Sequence, residues 1–295
     1  MIWIESSENS QWLLDDAPSV GASDRGLAYG DGLFETVRVW EGAPLFLARH
    51  LHRLRAGLAR LAFPALRWGD DELLARCDRV IQKNSMADGV LKLIVTRGVG
   101  ARGFALPAEA RPVLMIHVTQ KPGFFKKPGF STALAPWKIN PASPLCSLKS
   151  LSALDKVLAK QWAREQGADE ALFQNLYGHL TEATAWNLFI VTAGQIVTPA
   201  LHCGLLPGIT RALLLETASM VEAEISVESL IGADEAFLTN AIGGVQPLVR
   251  FNGLPIGLGQ PGPVTAAVAA HYRALEQTEL DYWRRANASR NATVL

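Results

Sequence analysis

The sequence predicts a two-domain protein of the mixed α+β or α/β class. Its 295 residues suffice for roughly two domains of about 150 residues each, and 49% of them are hydrophobic, as in a globular interior. Helix-like and strand-like periodicities alternate along the chain. A stretch concentrated in proline and glycine, QKPGFFKKPGF at 120–130, predicts a connector between a small N-terminal domain, 1–119, and a larger domain, 131–283.

The N-terminal domain carries the signals of an α+β unit. Two segments, VLKLIVT at 90–96 and PVLMIHV at 112–118, have the β-branched, apolar composition of strands. A helix is indicated by four leucines at helical spacing, which are Leu51, Leu54, Leu58 and Leu61.

The C-terminal domain begins with a helix predicted at about 149–165, followed by strands near 170–198. The chain then predicts a helix that opens at Gly208, a strand EAFLT at 235–239 and a terminal helix from about Val264. We expect the end of the chain, RRANASRNATVL at 284–295, to be frayed.

Composition excludes several classes of function. Lysine and arginine total 28, as do aspartate and glutamate, so the formal net charge is zero and a globally basic surface for nucleic acid is excluded. The three cysteines, Cys77, Cys146 and Cys203, show neither C-x-x-C nor metal-like spacing with the six histidines. The opening MIWIESSENS lacks the basic and apolar regions of a signal peptide. We therefore expect a protein of the reducing cytoplasm with no metal site.

One uncharged stretch, residues 183–210, is long enough to cross a bilayer. It is interrupted by polar residues, glycine and proline, and its segments WNLFIVT and QIVTP flank a turn-like Ala193-Gly194. The pattern therefore favours a buried β-hairpin over a membrane span.

The segment GVGARG at 98–103 matches the G-x-G-x-x-G pattern of dinucleotide-binding loops. Such a loop must open a helix and be followed by an acid about 20 residues later. Pro107 and Pro112 oppose a helix, and no acidic residue lies between Glu109 and Asp155. The pattern therefore disfavours a nicotinamide cofactor.

The acid-free interval is locally positive, which suits either an anionic ligand or a solvated connector.

Three further features are candidates for binding and covalent catalysis. LPGITR at 206–211 precedes an amphipathic run, so its free N–H groups and the Thr210 hydroxyl could hold a phosphate. Lys149 opens a predicted helix with an apolar stripe, where loss of solvation would favour the neutral amine of a nucleophile. Glu182 stands ahead of a very apolar strand. Taken singly, an ordinary helix start and an ordinary ion pair explain the first and last of these features. The stripe beside the lysine comprises Leu151, Leu154 and Leu158.

Seven motifs stand in order along residues 20–280. They are DRGLAYGDGLFETVRV, RHLHRL, LIVTRGVGARGF, KSLSAL, GHLTEATAWNLF, LPGITR and DEAFLTNAIGGVQP. Together they resemble the class IV, fold-type IV pyridoxal-phosphate enzymes, which include branched-chain and D-amino-acid transaminases and aminodeoxychorismate lyase. The resemblance implies the two-domain fold of the D-amino-acid aminotransferase type, pyridoxal 5'-phosphate as cofactor, and a homodimer.

The resemblance also implies a role for each matched residue. Lys149 carries the cofactor and moves the proton, Glu182 faces the ring nitrogen, and Arg53 of RHLHRL binds the phosphate. The other cofactor-binding candidates are Gly208, Ile209, Thr210, Asn240 and Ala241. The substrate-binding candidates are Arg102, Arg97, Phe104 and Phe34, and Arg97 could equally belong to a structural ion pair.

Other polar residues of these motifs are expected to be structural. His50 and His52 are two positions apart on a helix, so they lie on different faces and do not form a metal site. Asp24, Arg25 and Asp31 are expected to shape a loop around three glycines, which are Gly26, Gly30 and Gly32.

Within the family, TRGVGARGF and TNAIGGVQP are most similar to aminodeoxychorismate lyase. KSLSAL and PGITR are closer to the transaminases, and Phe104 stands where the lyase normally has tyrosine. The resemblance therefore implies a lyase that converts 4-amino-4-deoxychorismate to 4-aminobenzoate and pyruvate in folate biosynthesis. The alternative is a class IV transaminase that acts on D-amino acids or branched-chain amino acids with a 2-keto-acid acceptor. A third hypothesis, of another class, is a noncatalytic binding protein that keeps the fold.

Overall fold

The computed structural model describes residues 1–5, 10–13, 20–121, 123 and 127–292, with side chains described through residue 286. The chain divides into two compact units. The first unit comprises Met1–Lys121, Lys149–Ser152 and the residues from Glu276 onward. The second unit comprises the intervening chain, which ends at Leu148 before the tetrapeptide and continues as Ala153–Leu275.

The tetrapeptide Lys149–Ser152 is a departure from the predicted division, which assigned it to the second domain. Its backbone is hydrogen-bonded to a strand of the first unit: Phe34 N donates to Lys149 O at 2.9 Å, and Leu151 N donates to Gly32 O at 3.0 Å. These bonds explain why the segment groups with the first unit although its flanking residues do not.

The two ends of the predicted second domain also differ from the structure. Of the predicted connector, 120–130, residues 122 and 124–126 lie outside the described residues. Of the predicted frayed tail, 284–295, residues 284–292 continue the backbone of the last helix. Residues 293–295 lie outside the described part of the chain.

The described strands of the first unit form an antiparallel sheet, and three of the described helices lie entirely within the same unit. The strands are β1 (Ile2–Glu5), β2 (Ser10–Leu13), β3 (Gly32–Trp40), β4 (Ala43–Pro44), β5 (Asp88–Thr96) and β6 (Val113–Gln120). The helices are α1 (Arg25–Tyr29), α2 (Leu47–Arg60) and α3 (Asp70–Lys83). The sheet order is β2-β1-β6-β5-β3-β4, and β5 and β6 confirm the two strands predicted for this domain.

The faces of β3 determine which of its side chains reach the core. Side chains of a strand alternate between faces, and in β3 the buried positions are Leu33, Glu35, Val37 and Val39. Helix α2 packs on this strand with a buried leucine stripe, as predicted from its periodicity. Glu35 is therefore a carboxylate on the core face of an otherwise apolar run, whereas Phe34 lies on the opposite face.

The second unit contains the larger sheet. Its strands are β7 (Phe130–Ile139), β8 (Glu170–Asn175), β9 (Leu180–Ala183), β10 (Asn187–Thr192), β11 (Gln195–Pro199), β12 (Met220–Ala223), β13 (Glu235–Asn240), β14 (Gly244–Phe251) and β15 (Leu254–Pro255). The order is β12-β11-β10-β13-β14-β7-β8-β9, with β15 on β14, and β9 also pairs with β10. The helices of this unit are α4 (Leu154–Glu165), α5 (Ile209–Thr217) and α6 (Val227–Ile231). Helix α7 (Pro263–Ala292) begins in this unit, and its residues from Glu276 belong to the first.

The uncharged stretch at 183–210 contains the predicted hairpin. Strands β10 and β11 pair antiparallel from Thr192 and Gln195, and the turn between them places Ala193 and Gly194 at φ values of 49° and 79°. The hairpin prediction is confirmed. Among the described residues, no helix has both the length and the apolar character that crossing a membrane would require.

Helix α4 corrects the predicted apolar stripe beside Lys149. The helix begins at Leu154, and Leu154 and Leu158 are 69% and 55% exposed. Its buried face is formed instead by Ala159 and Ala163, which pack against a cluster that includes Phe173. The small alanine side chains let the helix approach the sheet closely. The larger leucines lie on the opposite, outer face of the helix.

Candidate functional site

Lys149 is positioned by backbone pairing. The hydrogen bonds to β3 fix the main chain on both sides of Ser150, which forms a bridge with Leu33. The amine Nζ of Lys149 lies 4.5 Å from the centre of the Phe34 ring. Phe34 is therefore the aromatic neighbour of the candidate nucleophile, in place of the leucine stripe that the sequence predicted.

A second amine shares this ring. Lys92 of β5 places its Nζ 5.0 Å from the centre of Phe34, and burial lowers the pKa of Lys92. The first unit therefore gathers two lysines at one aromatic side chain. Lys92 was not among the predicted site residues, although its place in the apolar strand VLKLIVT was a usable signal.

Arg53 is held by a buried carboxylate. Its Nε and Nη2 donate to Glu35 Oε1 and Oε2 at 2.8 and 2.6 Å. His50 Nδ1 lies 2.7 Å from Glu35 Oε2, and Glu35 is 1% exposed. This bidentate arrangement fixes the plane of the guanidinium, so Arg53 is oriented before any ligand arrives.

Charge in this cluster follows from burial and pairing. Burial alone would raise the pKa of Glu35, but the Arg53 charge and the hydrogen bonds from His50 and Arg53 outweigh it and lower the pKa to about 2. Burial lowers the pKa of His50 despite its contact with Glu35. The structural interpretation of His50 is therefore refined: it supports the carboxylate that holds Arg53. His52 is exposed.

The predicted loop around the glycines forms as expected. Asp24 caps α1 by accepting from Gly26 N at 2.8 Å, and Asp31 accepts from Arg25 Nε at 2.9 Å and Arg97 Nε at 2.8 Å. Arg97 also donates to the carbonyl oxygens of the Leu61–Ala62 turn at 2.7 and 3.1 Å. These contacts engage the buried Arg97 guanidinium and favour the structural alternative for it.

Arg102 and Phe104 are placed differently from Arg97. The loop that carries them is anchored between them at Gly103, whose O accepts from Arg25 Nη1 and whose N donates to Tyr29 Oη, both at 2.9 Å. Arg102 is exposed, and Phe104 is 88% exposed. The first unit therefore presents both side chains outward from a fixed point.

Glu182 is the centre of a polar group in the second unit. It lies on β9 opposite Asn187 of β10 and is 4% exposed. Its Oε2 accepts from Leu206 N at 3.0 Å and from Asn187 Nδ2 at 3.4 Å, while Oε1 accepts from Lys156 Nζ at 2.8 Å. Lys156 was not among the predicted site residues.

The N-terminus of α5 confirms the helix predicted to open at Gly208. No side chain caps this end, so its N–H groups and the helix dipole are available to an anion. A Cβ at Gly208 would lie 2.0 Å from Asn187 Oδ1, so a side chain cannot be added there without displacement. Ile209 follows, and the buried Thr210 hydroxyl donates to Tyr272 Oη at 3.1 Å.

Asn240 shapes the turn that carries Ala241. Its Oδ1 accepts from Ile242 N and Gly243 N at 3.0 and 2.7 Å. Thr239, the preceding residue, pairs with Asn187 in register, so their side chains share one face of the sheet. The Thr239 hydroxyl is buried and has no hydrogen-bond partner among the described residues, which makes it a candidate donor for a ligand.

Comparison with known proteins identifies the family. Residues 32–251 match the amino-transferase class IV family, so the chain belongs to this family. It is 31% identical over 260 residues to D-alanine aminotransferase of Bacillus licheniformis, covering 85% of this chain and 89% of that protein.

Two solved structures extend the comparison. The 4-amino-4-deoxychorismate lyase of Pseudomonas aeruginosa is similar with a TM-score of 0.78 and 32% identity, over 93% of this chain and 98% of that chain. The branched-chain amino acid aminotransferase of Escherichia coli has a TM-score of 0.85 and 26% identity, over 94% and 95%. The fold is therefore that of the fold-type IV enzymes, and the predicted cofactor, pyridoxal 5'-phosphate, is confirmed for this family.

The residues present fit this cofactor. In the second unit, the uncapped N-terminus of α5 and the buried Thr239 hydroxyl are candidate donors for a phosphate, and both neighbour Asn187. Glu182 offers an acceptor for a protonated ring nitrogen. In the first unit, Lys149 offers an amine for the aldehyde, and Arg53 offers an oriented guanidinium. The protein is a pyridoxal-phosphate-dependent enzyme of class IV.

Proposed function

We propose that this protein is an aminodeoxychorismate lyase that converts 4-amino-4-deoxychorismate to 4-aminobenzoate and pyruvate in folate biosynthesis. The observation that carries the proposal is the second amine at Phe34: Lys92 lies at the same ring as Lys149. The substrate has two carboxylates, and cations bind carboxylates through strong charge-assisted hydrogen bonds. Arg102, presented by the anchored loop, is the further candidate. Similarity to the Pseudomonas aeruginosa lyase supports the proposal.

The cofactor, when bound, supplies an electron sink for the reacting carbon. Lys149 Nζ removes the proton from the amino-bearing ring carbon of the substrate. The electron pair left behind aromatises the ring as the bond to the enolpyruvyl oxygen breaks, and the departing group takes up one proton to become pyruvate. No keto acid is consumed.

We assign the remaining residues to holding the cofactor. Arg53, fixed by Glu35, binds the phosphate. The N–H groups at Ile209 and Thr210 are further phosphate donors, as is the backbone of Ala241. Glu182 accepts from the ring nitrogen and keeps it protonated. Phe34 and Phe104 are proposed to border the substrate ring.

A class IV transaminase is the second candidate, because the chain is 31% identical to a D-alanine aminotransferase. The two reactions are distinguished by assaying one preparation with both substrate sets. Release of 4-aminobenzoate from aminodeoxychorismate without a keto acid supports the lyase. Amino transfer from D-alanine or a branched-chain amino acid to 2-oxoglutarate, with no aryl product, overturns it. Absence of both reactions in cofactor-loaded protein selects the noncatalytic binding protein.

We further propose a homodimer that acts in the cytoplasm. In the second unit, Leu154, Val157 and Leu158 form an exposed apolar stripe at helical spacing on α4. A contiguous apolar surface of this kind is typical of protein–protein contact. The three cysteines are free thiols, which suits a reducing compartment.

A further inference from the structure

Lys156 is a charged residue on the inner side of α4. It precedes the buried Ala159 by three positions and therefore shares its helix face. Its side chain is 34% exposed, and its Nζ lies 2.8 Å from Oε1 of Glu182, whose side chain is 6% exposed. The pair lies wholly within the second unit.

The acceptor capacity of Glu182 is nearly used by the protein itself. A carboxylate offers about four lone-pair positions, and three donors already approach this one: Lys156 Nζ, Leu206 N and Asn187 Nδ2. About one position remains for an outside donor. That donor and Lys156 would both interact with the single negative charge of the Glu182 carboxylate.

The lysine is charged in this setting. Burial alone would lower the pKa of Lys156, but the charge and hydrogen bond of Glu182 outweigh it and leave the pKa raised. Asp155 and the thiol of Cys146 are the other titratable groups that act on Lys156. Glu182 therefore has a cation within hydrogen-bond distance at neutral pH.

We propose that Lys156 is a positioning residue that sets how strongly the ring nitrogen of the cofactor binds its proton, acting through Glu182. The inference rests on the proposed role of Glu182. A cation beside the carboxylate offsets part of its negative charge. The same cation also repels a positive charge on the cofactor ring. Lys156 therefore weakens protonation of the ring nitrogen relative to an isolated glutamate.

The test is a pH titration of the holoenzyme loaded with pyridoxal phosphate labelled with 15N in the ring, followed by NMR. In Lys156→Met, deprotonation of the ring nitrogen should move to higher pH by on the order of one unit. Lys156→Gln keeps a donor without charge and should move in the same direction. Lys156→Arg keeps the charge and should restore the wild-type titration.

Lys160→Met is the matched control, because Lys160 stands one turn later on α4 and pairs with the buried Glu170. It should leave the ring titration unchanged. Glu182→Gln distinguishes the role of Lys156 from the role of Glu182 itself. If Glu182→Gln changes the titration but neither neutral Lys156 variant does, this inference is overturned and the role of Glu182 stands. If Glu182→Gln has no effect, the proposed role of Glu182 falls, and the inference falls with it.

Discussion

In the proposed function, Lys149 is the residue on which the chemistry depends, since its amine is assigned both the bond to the cofactor and the movement of the proton. Lys149→Ala should eliminate the borohydride-trapped cofactor adduct and lower turnover by on the order of 10³-fold or more. Mass spectrometry of reduced, digested protein locates the adduct. Lys160→Ala is the control and should keep both adduct and turnover. An adduct on another residue of the loaded wild-type protein would refute the assignment.

Glu35 makes folding sensitive to acid. Its pKa is about 2 in the folded protein against an ordinary value of 4.5, so its stabilisation is complete above pH 4.5 and is lost as pH falls towards 2. The amount is on the order of 3 kcal/mol. His50, whose pKa burial lowers, adds loss of stability in the same direction below its ordinary pKa. Urea unfolding across this pH range measures both.

The variant Glu35→Gln should remove the part of this pH dependence below pH 4.5. At neutral pH it should lower the free energy of unfolding by about 3–5 kcal/mol, because Arg53 loses a buried counter-charge. Glu41→Gln removes a glutamate from a surface pair with Arg284 and should lower it by less than about 1 kcal/mol. Equal effects of the two variants would contradict the role given to Glu35.

At the scale of elements, the N-terminus of α5 concentrates donors at Gly208. Gly208→Ala should raise the dissociation constant for pyridoxal phosphate by on the order of tenfold or more, since its Cβ would displace Asn187 and disturb the helix end. Titration of apoprotein with the cofactor measures this constant. Gly232→Ala is the matched control, because its Cβ would meet only Glu228 O at 3.4 Å. Similar constants for both variants would exclude a phosphate cradle here.

Local periodicity located most elements but not the start of α4. KSLSAL has the apolar spacing of a helix, yet Lys149–Ser152 is not helical and is hydrogen-bonded to β3, more than a hundred residues away in sequence. A long-range backbone pairing leaves no local signal, so the leucine stripe was assigned to the wrong face. The hairpin of β10 and β11 was predictable because its turn residues and strand composition are local.

The candidate site was predictable where a motif carried it and not where tertiary contacts supply the partner. Motif resemblance predicted Lys149, Arg53 and Glu182. Glu35 had a signal, because a charge at a core position of an alternating strand requires a buried partner. Lys156 had none, since its contact with Glu182 joins a helix to a strand 26 positions away.

At the scale of the whole molecule, the exposed stripe on α4 bears on assembly. Leu158→Glu should convert the proposed homodimer to monomer, because it places a charge in an apolar contact. Sedimentation velocity measures the mass. Gln82→Glu adds the same charge at an exposed position of a different helix, α3, and should remain dimeric. A wild-type protein that sediments as a monomer would reject the dimer itself.

The tetrapeptide that carries Lys149 is bonded to β3 but is flanked in sequence by chain of the other unit. A gene cut at residue 121 would therefore encode one fragment with Arg53 and another with both Lys149 and Glu182. Neither fragment alone holds every group that the proposed function assigns to the reaction. Shuffling between relatives at that point would also pair a foreign β3 with this lysine, so the two must be exchanged together.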